Sequence, residues 1–126
     1  MCEEYNGWTN RETWATALHI DNEQGFTNTA SEKIQESFLE DMDKDKADGW
    51  QDGLTSATLE IQEWVEEMLS FSYWDEHGLE MPDNIKRMKA DVGSLWRVNF
   101  REIVQSWLIE EIESFKQGKY NEGANA

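Results

Sequence analysis

Between Lys46 and Lys86 the chain carries no lysine or arginine but ten carboxylates: Asp48, Asp52, Glu60, Glu63, Glu66, Glu67, Asp75, Glu76, Glu80 and Asp83. A second block, Glu102, Glu110, Glu111 and Glu113, follows Arg101 without an intervening base. Carboxylates three or four apart on a helix stand roughly 5–6 Å from each other. Phosphates along a DNA strand have a similar separation, since each strand rises ~3.4 Å per nucleotide while winding around the axis. Like charges at helical spacing cost a few tenths of a kcal/mol per pair. Two readings of these rows follow: a solvated helix face, or a field with a use.

The whole-chain charge sharpens the second reading. Twenty-seven Asp and Glu against eleven Lys and Arg give a formal charge of −16. Duplex DNA carries one charge per ~1.7 Å of axis, so sixteen charges correspond to ~27 Å of duplex. A compact domain of this length has a diameter of ~35 Å. The charge per unit length is thus comparable to that of DNA. The opposite feature is Lys86, Arg87, Lys89, Arg97 and Arg101, with only Asp91 among them. A weak nucleic-acid patch is one reading, but internal pairing with the acidic helices is the expected one, since the net charge repels a duplex from every other direction.

Catalytic and metal chemistry find little to work with. His19 and His77 have no partner at metal-ligand spacing. No Gly-rich phosphate cradle or nucleophile motif is present. Among twenty-seven carboxylates no acid–base pair can be singled out. Asp41, Asp43, Asp45, Asp48 and Asp52 have partly EF-hand-like spacing, but the sixth loop position is Lys46 where the turn wants Gly, and the twelfth is Asp52 where a bidentate Glu is usual. The match to a calcium loop is poor, and a helix end running into a polar loop is the preferred explanation. The expectation is no enzyme activity, no cofactor and no metal.

The 126 residues suit one domain, and seven Trp, five Phe and three Tyr supply area for a core. That aromatic content argues against disorder, the other usual correlate of high charge. The lone Cys2 forms no internal disulfide, no apolar run approaches a membrane span, and Met1 to Glu4 has neither a basic nor an apolar leader region. These features point to the cytoplasm.

The elements that must position the carboxylates read as an all-α single compact domain of about five helices, covering residues 1–118, with a flexible tail at 119–126. Thr9 and Glu12 have capping-box spacing and open a first helix with Trp14, Ala17 and Leu18 on one face. Gly25 is its expected stop. A second helix starts near Thr29 or Ser31, with Ile34, Phe38 and Met42 inward and Glu32, Glu36 and Glu40 in a parallel row. Residues 43–53 read as a loop holding Gly49 and Gly53. A third helix spans about 55–72, with Ala57, Ile61, Trp64, Val65 and Met68 inward and Glu60, Glu63, Glu66 and Glu67 outward. Tyr73 to Pro82 reads as a loop, and Asp83 to Trp96 as a fourth helix weakened by Gly93. Asn99 and Glu102 cap the last helix, Val98 and Ile103 sit at staple positions, and Gly118 ends it. Its core stripe is Ile103, Val104, Trp107, Leu108, Ile112 and Phe115.

Asn6-Gly7-Trp8-Thr9-Asn10-Arg11-Glu12-Thr13-Trp14, followed by Leu18 and Ile20-Asp21-Asn22, resembles the opening of a family of small phage and bacterial proteins. Their motif is Asn-Gly-Trp-Thr-Asn-x-x-Thr-Trp. Asn99 to Val104, running on to Leu108 to Glu111, is similar to that family's closing helix. The resemblance implies a phage or mobile-element setting and no particular mechanism. Gly78-Leu79 with Met81-Pro82-Asp83, and the acidic stretch Trp107 to Glu113, resemble the Ocr antirestriction proteins, which imitate DNA; the basic run Lys86 to Arg101 departs from their pattern.

Charge and resemblance together lead to the expectation of an acidic inhibitor that blocks the nucleic-acid site of a host defence protein, a restriction enzyme or a CRISPR effector. It would contact neither nucleic acid nor membrane itself, and a homodimer is left open. The expected contact residues are Glu60, Glu63, Glu66, Glu67, Asp75, Glu76, Glu80, Asp83, Glu102, Glu110, Glu111 and Glu113. The alternative is a non-catalytic phage scaffold or adaptor that binds through an apolar patch.

Overall fold

The structure, a computed structural model, describes residues 5–117. Seven α-helices and one 3-10 turn make up its regular structure: α1 (Arg11–Asn22), α2 (Gln24–Asp41), α3 (Trp50–Met68), α4 (Phe71–Glu76), α5 (Asp83–Val92), the 3-10 turn (Leu95–Arg97), α6 (Phe100–Trp107) and α7 (Ile109–Lys116). No strand is present among the described residues, where Tyr5 and Trp8 form a lone bridge. The expected end of the last helix at Gly118 and the tail at 119–126 lie outside the described residues.

Helix α3 is the central strut, packed on α2 along one side and on α6 along another, while α1 closes the body by packing on α2 and α5. The core along these contacts is almost free of solvent: Phe38, Leu54, Ala57, Ile61, Val65, Met88, Val104 and Leu108 are each at most 1% exposed. Burying each Leu, Ile, Val or Phe side chain stabilises by about 1.5–3 kcal/mol. Ile34, Phe38 and Met42 face inward as their four-residue spacing predicts.

The α2–α3 contact is closer than ordinary side chains permit. A Cβ at Gly53 would stand 2.6 Å from the Phe38 carbonyl oxygen and 2.8 Å from the Phe38 ring. Gly53 therefore belongs to the helix interface and not to a loop, and α3 starts at Trp50, five residues earlier than the apolar spacing suggests. Just before α3, a Cβ at Gly49 would overlap the carbonyl of Asp43 at the start of the loop, 1.7 Å away.

Other boundaries move for identifiable reasons. Helix α1 begins after Asn10, not Thr9: the Asn10 Oδ1 accepts from the Thr13 amide at 2.9 Å and the Thr13 hydroxyl at 2.7 Å. Its buried face is Thr13, Ala15, Thr16, Ala17 and Ile20, while Trp14 is half-buried and Leu18 is exposed. Helix α1 ends at Asn22, and α2 starts almost at once with Gly25 in its first turn, since the Thr27 hydroxyl donates to the Ile20 carbonyl at 2.9 Å and satisfies an orphan acceptor of α1. Helix α5 stops at Val92, because Gly93 adopts φ 74°, a left-handed conformation that ends a helix cheaply only at glycine.

The expected third and fifth helices are each interrupted. After α3, Ser70 caps the short α4, accepting from the Tyr73 amide at 3.4 Å, and the Trp74 Nε1 donates to the Met68 carbonyl at 2.8 Å. The last helix breaks at Leu108. There the Ser106 hydroxyl donates to the Ile103 carbonyl at 2.6 Å and the Leu108 amide bonds back only three residues, to Gln105 at 3.1 Å. A side chain competing for a backbone carbonyl bends a helix in this way. The buried stripe Ile103, Val104, Leu108, Ile112 and Phe115 continues through the break, with Trp107 half-buried beside it.

Candidate functional site: an open acidic helix face

Glu60, Glu63, Glu66 and Glu67 are all exposed. At 3.6 residues per turn they fall in a sector of about 120°, opposite Leu54, Ala57, Ile61 and Val65. Helix α2 occupies the side of α3 marked by Gly53 and by Trp64, whose ring meets Phe26 edge-on at 6.0 Å. Helix α6 occupies the side marked by Thr55, whose hydroxyl takes an Arg101 guanidinium nitrogen at 3.2 Å. The carboxylates fill the sector that neither neighbour covers. Among the described residues no lysine or arginine lies within 4.0 Å of them; the ion pairs are His19–Asp91, Lys46–Asp43 and Arg97–Glu12. Within the face, Glu66 accepts from the Gln62 side-chain Nε2 at 3.3 Å, and Leu59 is an exposed apolar member at 61%.

The basic run does not neutralise this face. The Lys89 ammonium donates to the Leu69 carbonyl at 2.8 Å and lies 5.2 Å from the Phe71 ring centre. Arg97 pairs with Glu12 of α1 at 3.7 Å and lies over Trp96. Among the described residues Lys89 meets a carbonyl and a ring, Arg97 a carboxylate of α1 and a ring, and Arg101 a hydroxyl, in place of the expected pairing with the acidic helices, while Lys86 lines a cleft with Asp75 and Glu80.

The remaining carboxylates divide. Asp75, Glu76, Glu80 and Asp83 are exposed, but Asp75 and Glu80 share a cleft of about 410 Å³ with Lys86, Phe71 and Leu79. Asp83 sits in the first turn of α5, where a negative charge favours the helix dipole. Glu110 and Glu113 are exposed. Glu111 is half-buried and accepts from the Gln35 side chain of α2 at 2.9 Å. Glu102 is half-buried and accepts from the Thr9 amide at 3.0 Å. The expected twelve-residue surface therefore contains two members with internal structural work, Glu102 and Glu111.

That work explains the N-terminal motif. Asn10 donates to the Arg97 carbonyl at 2.8 Å while capping α1, and the Thr13 hydroxyl accepts from the Asn99 amide at 2.8 Å. Asn99 in turn caps α6 through the Glu102 amide at 3.1 Å. Asn10 and Thr13 are buried. Both Val98 and Ile103 are buried beside the α6 cap. The motif is a polar knot that ties the start of α1 to the start of α6, and the reciprocal arms expected of Glu12 and Glu102 go to Arg97 and Thr9 instead.

The other chemistry-bearing residues stay local. The Asp43 carboxylate accepts from the Asp45 amide at 2.9 Å, and the Asp41 carboxylate takes the Ser56 hydroxyl. Among the described residues no three His, Cys, Asp or Glu side chains converge as a metal site. His19 Nε2 lies 2.8 Å from an Asp91 carboxylate oxygen, and His77 Nδ1 lies 2.7 Å from the Tyr73 carbonyl. Cys2 is outside the described residues. No helix among them is long and apolar enough to cross a membrane.

Residues 1–99 match a family of unknown function (DUF7249), and the chain belongs to that family. No curated protein and no solved structure matches the chain. The matched span includes the polar N-terminal motif, the acidic face of α3 and the loop to Asp83, and stops before α6.

Proposed function

We propose that this chain is a non-catalytic inhibitor that imitates DNA and occupies the basic nucleic-acid-binding groove of a host defence protein, a restriction enzyme or CRISPR effector, in the cytoplasm of a phage-infected cell. One observation carries the reading: the α3 face Glu60, Glu63, Glu66 and Glu67 is exposed, lies in one sector and has no lysine or arginine in contact among the described residues. A purely solubilising face gains nothing from excluding interleaved bases, which would relieve the repulsion within it. A groove built for phosphates attracts such a face from a distance, so association is fast and weakens as salt rises. Asp75, Glu76, Glu80, Asp83, Glu110 and Glu113 extend the contact.

Competition tests it. A candidate nuclease, a labelled duplex and increasing amounts of this protein are mixed, and release of the duplex is measured at two salt concentrations. Release that weakens with salt, and that is lost when all four α3 glutamates become glutamine, is the expected result. A ternary complex that keeps the duplex bound defeats the decoy reading. A second reading, a scaffold that binds through apolar surface, is favoured by Phe71 at 57% and Leu79 at 58% exposure beside one cleft; it predicts binding that salt hardly changes.

A further inference from the structure

Next to the acidic face lies a pocket of about 380 Å³ where α2, α3, α4 and α5 meet. Phe26, Trp64, Tyr73 and Trp74 line it, all half-buried, so each ring keeps part of its surface open. The rings are held in two edge-on pairs, Phe26 with Trp64 and Tyr73 with Trp74, both with centres 6.0 Å apart. The Trp74 indole is fixed by its bond to the Met68 carbonyl at 2.8 Å. Glu67, the last carboxylate of the α3 face, is the one charged residue of the lining.

Aromatic faces carry negative potential and attract cations, the more so when the cation leaves water. An enclosure of aromatic rings with a carboxylate at its rim suits a planar organic cation with an apolar stem. We propose that this pocket receives an arginine side chain of the bound protein partner, its guanidinium over the rings and against Glu67. A groove that binds phosphates is rich in arginine, so the pocket would convert a diffuse electrostatic encounter into a fixed register. Naming a partner's arginine as occupant rests on the proposed inhibitor reading; the preference of the pocket for a guanidinium is tested on the isolated chain.

The test is a titration of the whole protein with Nα-acetyl-arginine amide, followed by the assigned indole N–H resonances of Trp64 and Trp74. The citrulline analogue, equal in shape and uncharged, is titrated alongside. A saturable shift of both indoles by the arginine probe is expected, with the citrulline probe at least about threefold weaker. Glu67→Gln, at an exposed helical position, should weaken the arginine probe by about threefold. Gly25→Leu should abolish binding: Gly25 lines the pocket in a helical turn, and a Cβ there meets nothing within 4 Å, so the fold tolerates the change while the mouth is covered. Equal binding of citrulline overturns the proposal, because the pocket is then simply apolar. Undiminished binding by the Gly25→Leu variant overturns it too, because the cation is then held by the general acidic surface. A positive titration with failed duplex competition leaves the pocket standing and removes the inhibitor reading.

Discussion

Helix α3 and the α6–α7 pair each contribute four carboxylates to the proposed surface, and they use them differently. On α3 all four are exposed and no base touches them among the described residues. On α6–α7 only Glu110 and Glu113 are open, while Glu102 holds the Thr9 amide and Glu111 holds the Gln35 side chain. The cause is the neighbourhood of each helix. Glu102 sits in the first turn of α6, beside the polar knot at the start of α1, where a free amide needs an acceptor. Among the described residues, no other element gives a hydrogen-bond donor to the outer sector of α3. A row of glutamates thus becomes a field or a set of struts according to what packs next to it.

The comparison can be broken at its base. Gly53→Ala should be the most damaging single change, lowering stability by about 2–3 kcal/mol in a denaturant melt although alanine is the better helix former. Its Cβ would press on the Phe38 carbonyl, which is backbone and cannot swing aside. An unchanged midpoint would show that α2 and α3 do not depend on this close approach.

Thr13→Val should cost about 1–3 kcal/mol, since it removes the partner of the Asn99 amide and of the Asn10 carboxamide at constant shape. Hydrogen exchange should show the loss where α1 meets α6, with α3 still protected. Equal loss of protection along α3 would erase the distinction between the two regions.

Charge removal should act with opposite signs. Replacing Glu60, Glu63, Glu66 and Glu67 together by glutamine relieves three like-charge pairs, 60–63, 63–66 and 63–67, and should raise stability by at most about 1 kcal/mol at low salt. Glu102→Gln replaces a charged acceptor of the Thr9 amide and should lower stability, by about 1 kcal/mol or less. Thermal melts at low and high salt check both; changes of the same sign would mean that the α3 face, too, is stabilised by internal contacts.

The smallest effect belongs to Asp21, whose carboxyl is pushed above its ordinary value of 3.8 by partial burial, although much of the side chain remains accessible. The folded state then holds its proton to higher pH than the unfolded state, so this group's contribution falls as pH rises from 3.8 through the folded value. Asp21→Asn should therefore be slightly more stable than the parent near neutral pH, with the gain fading below about pH 4. Urea midpoints measured on either side of that window test it, and a gain that grows on acidification would reverse the sign of the argument.

Much of this was legible in the residues. The all-helical class, the inward positions of Ile34, Phe38, Ile61, Val65 and Ile103, the Asn99 cap and the outward row on α3 all follow from local rules of spacing and hydrogen bonding. Breaks were harder to see: α4 is too short to show a period, and no proline or glycine marks the bend at Leu108. Asn10, three residues before Thr13, was a readable cap, but Thr9 and Glu12 offered the same spacing one residue earlier. Nothing in the spacing of Glu102, Phe26 or Trp74 announced their partners. Each of those contacts joins residues from different elements.

The sequence by itself determined the all-helical class, the sign and density of the charge, and which side of α3 is apolar, because these depend on residues within one or two turns of each other. Tertiary structure alone decided which carboxylates remain open, that Lys89 turns to a carbonyl and Arg97 to α1, and that four aromatic rings line a space beside Glu67. Those outcomes depend on contacts between elements distant in the chain, and the alternation of residue types along one helix carries no information about what another helix will bring to it.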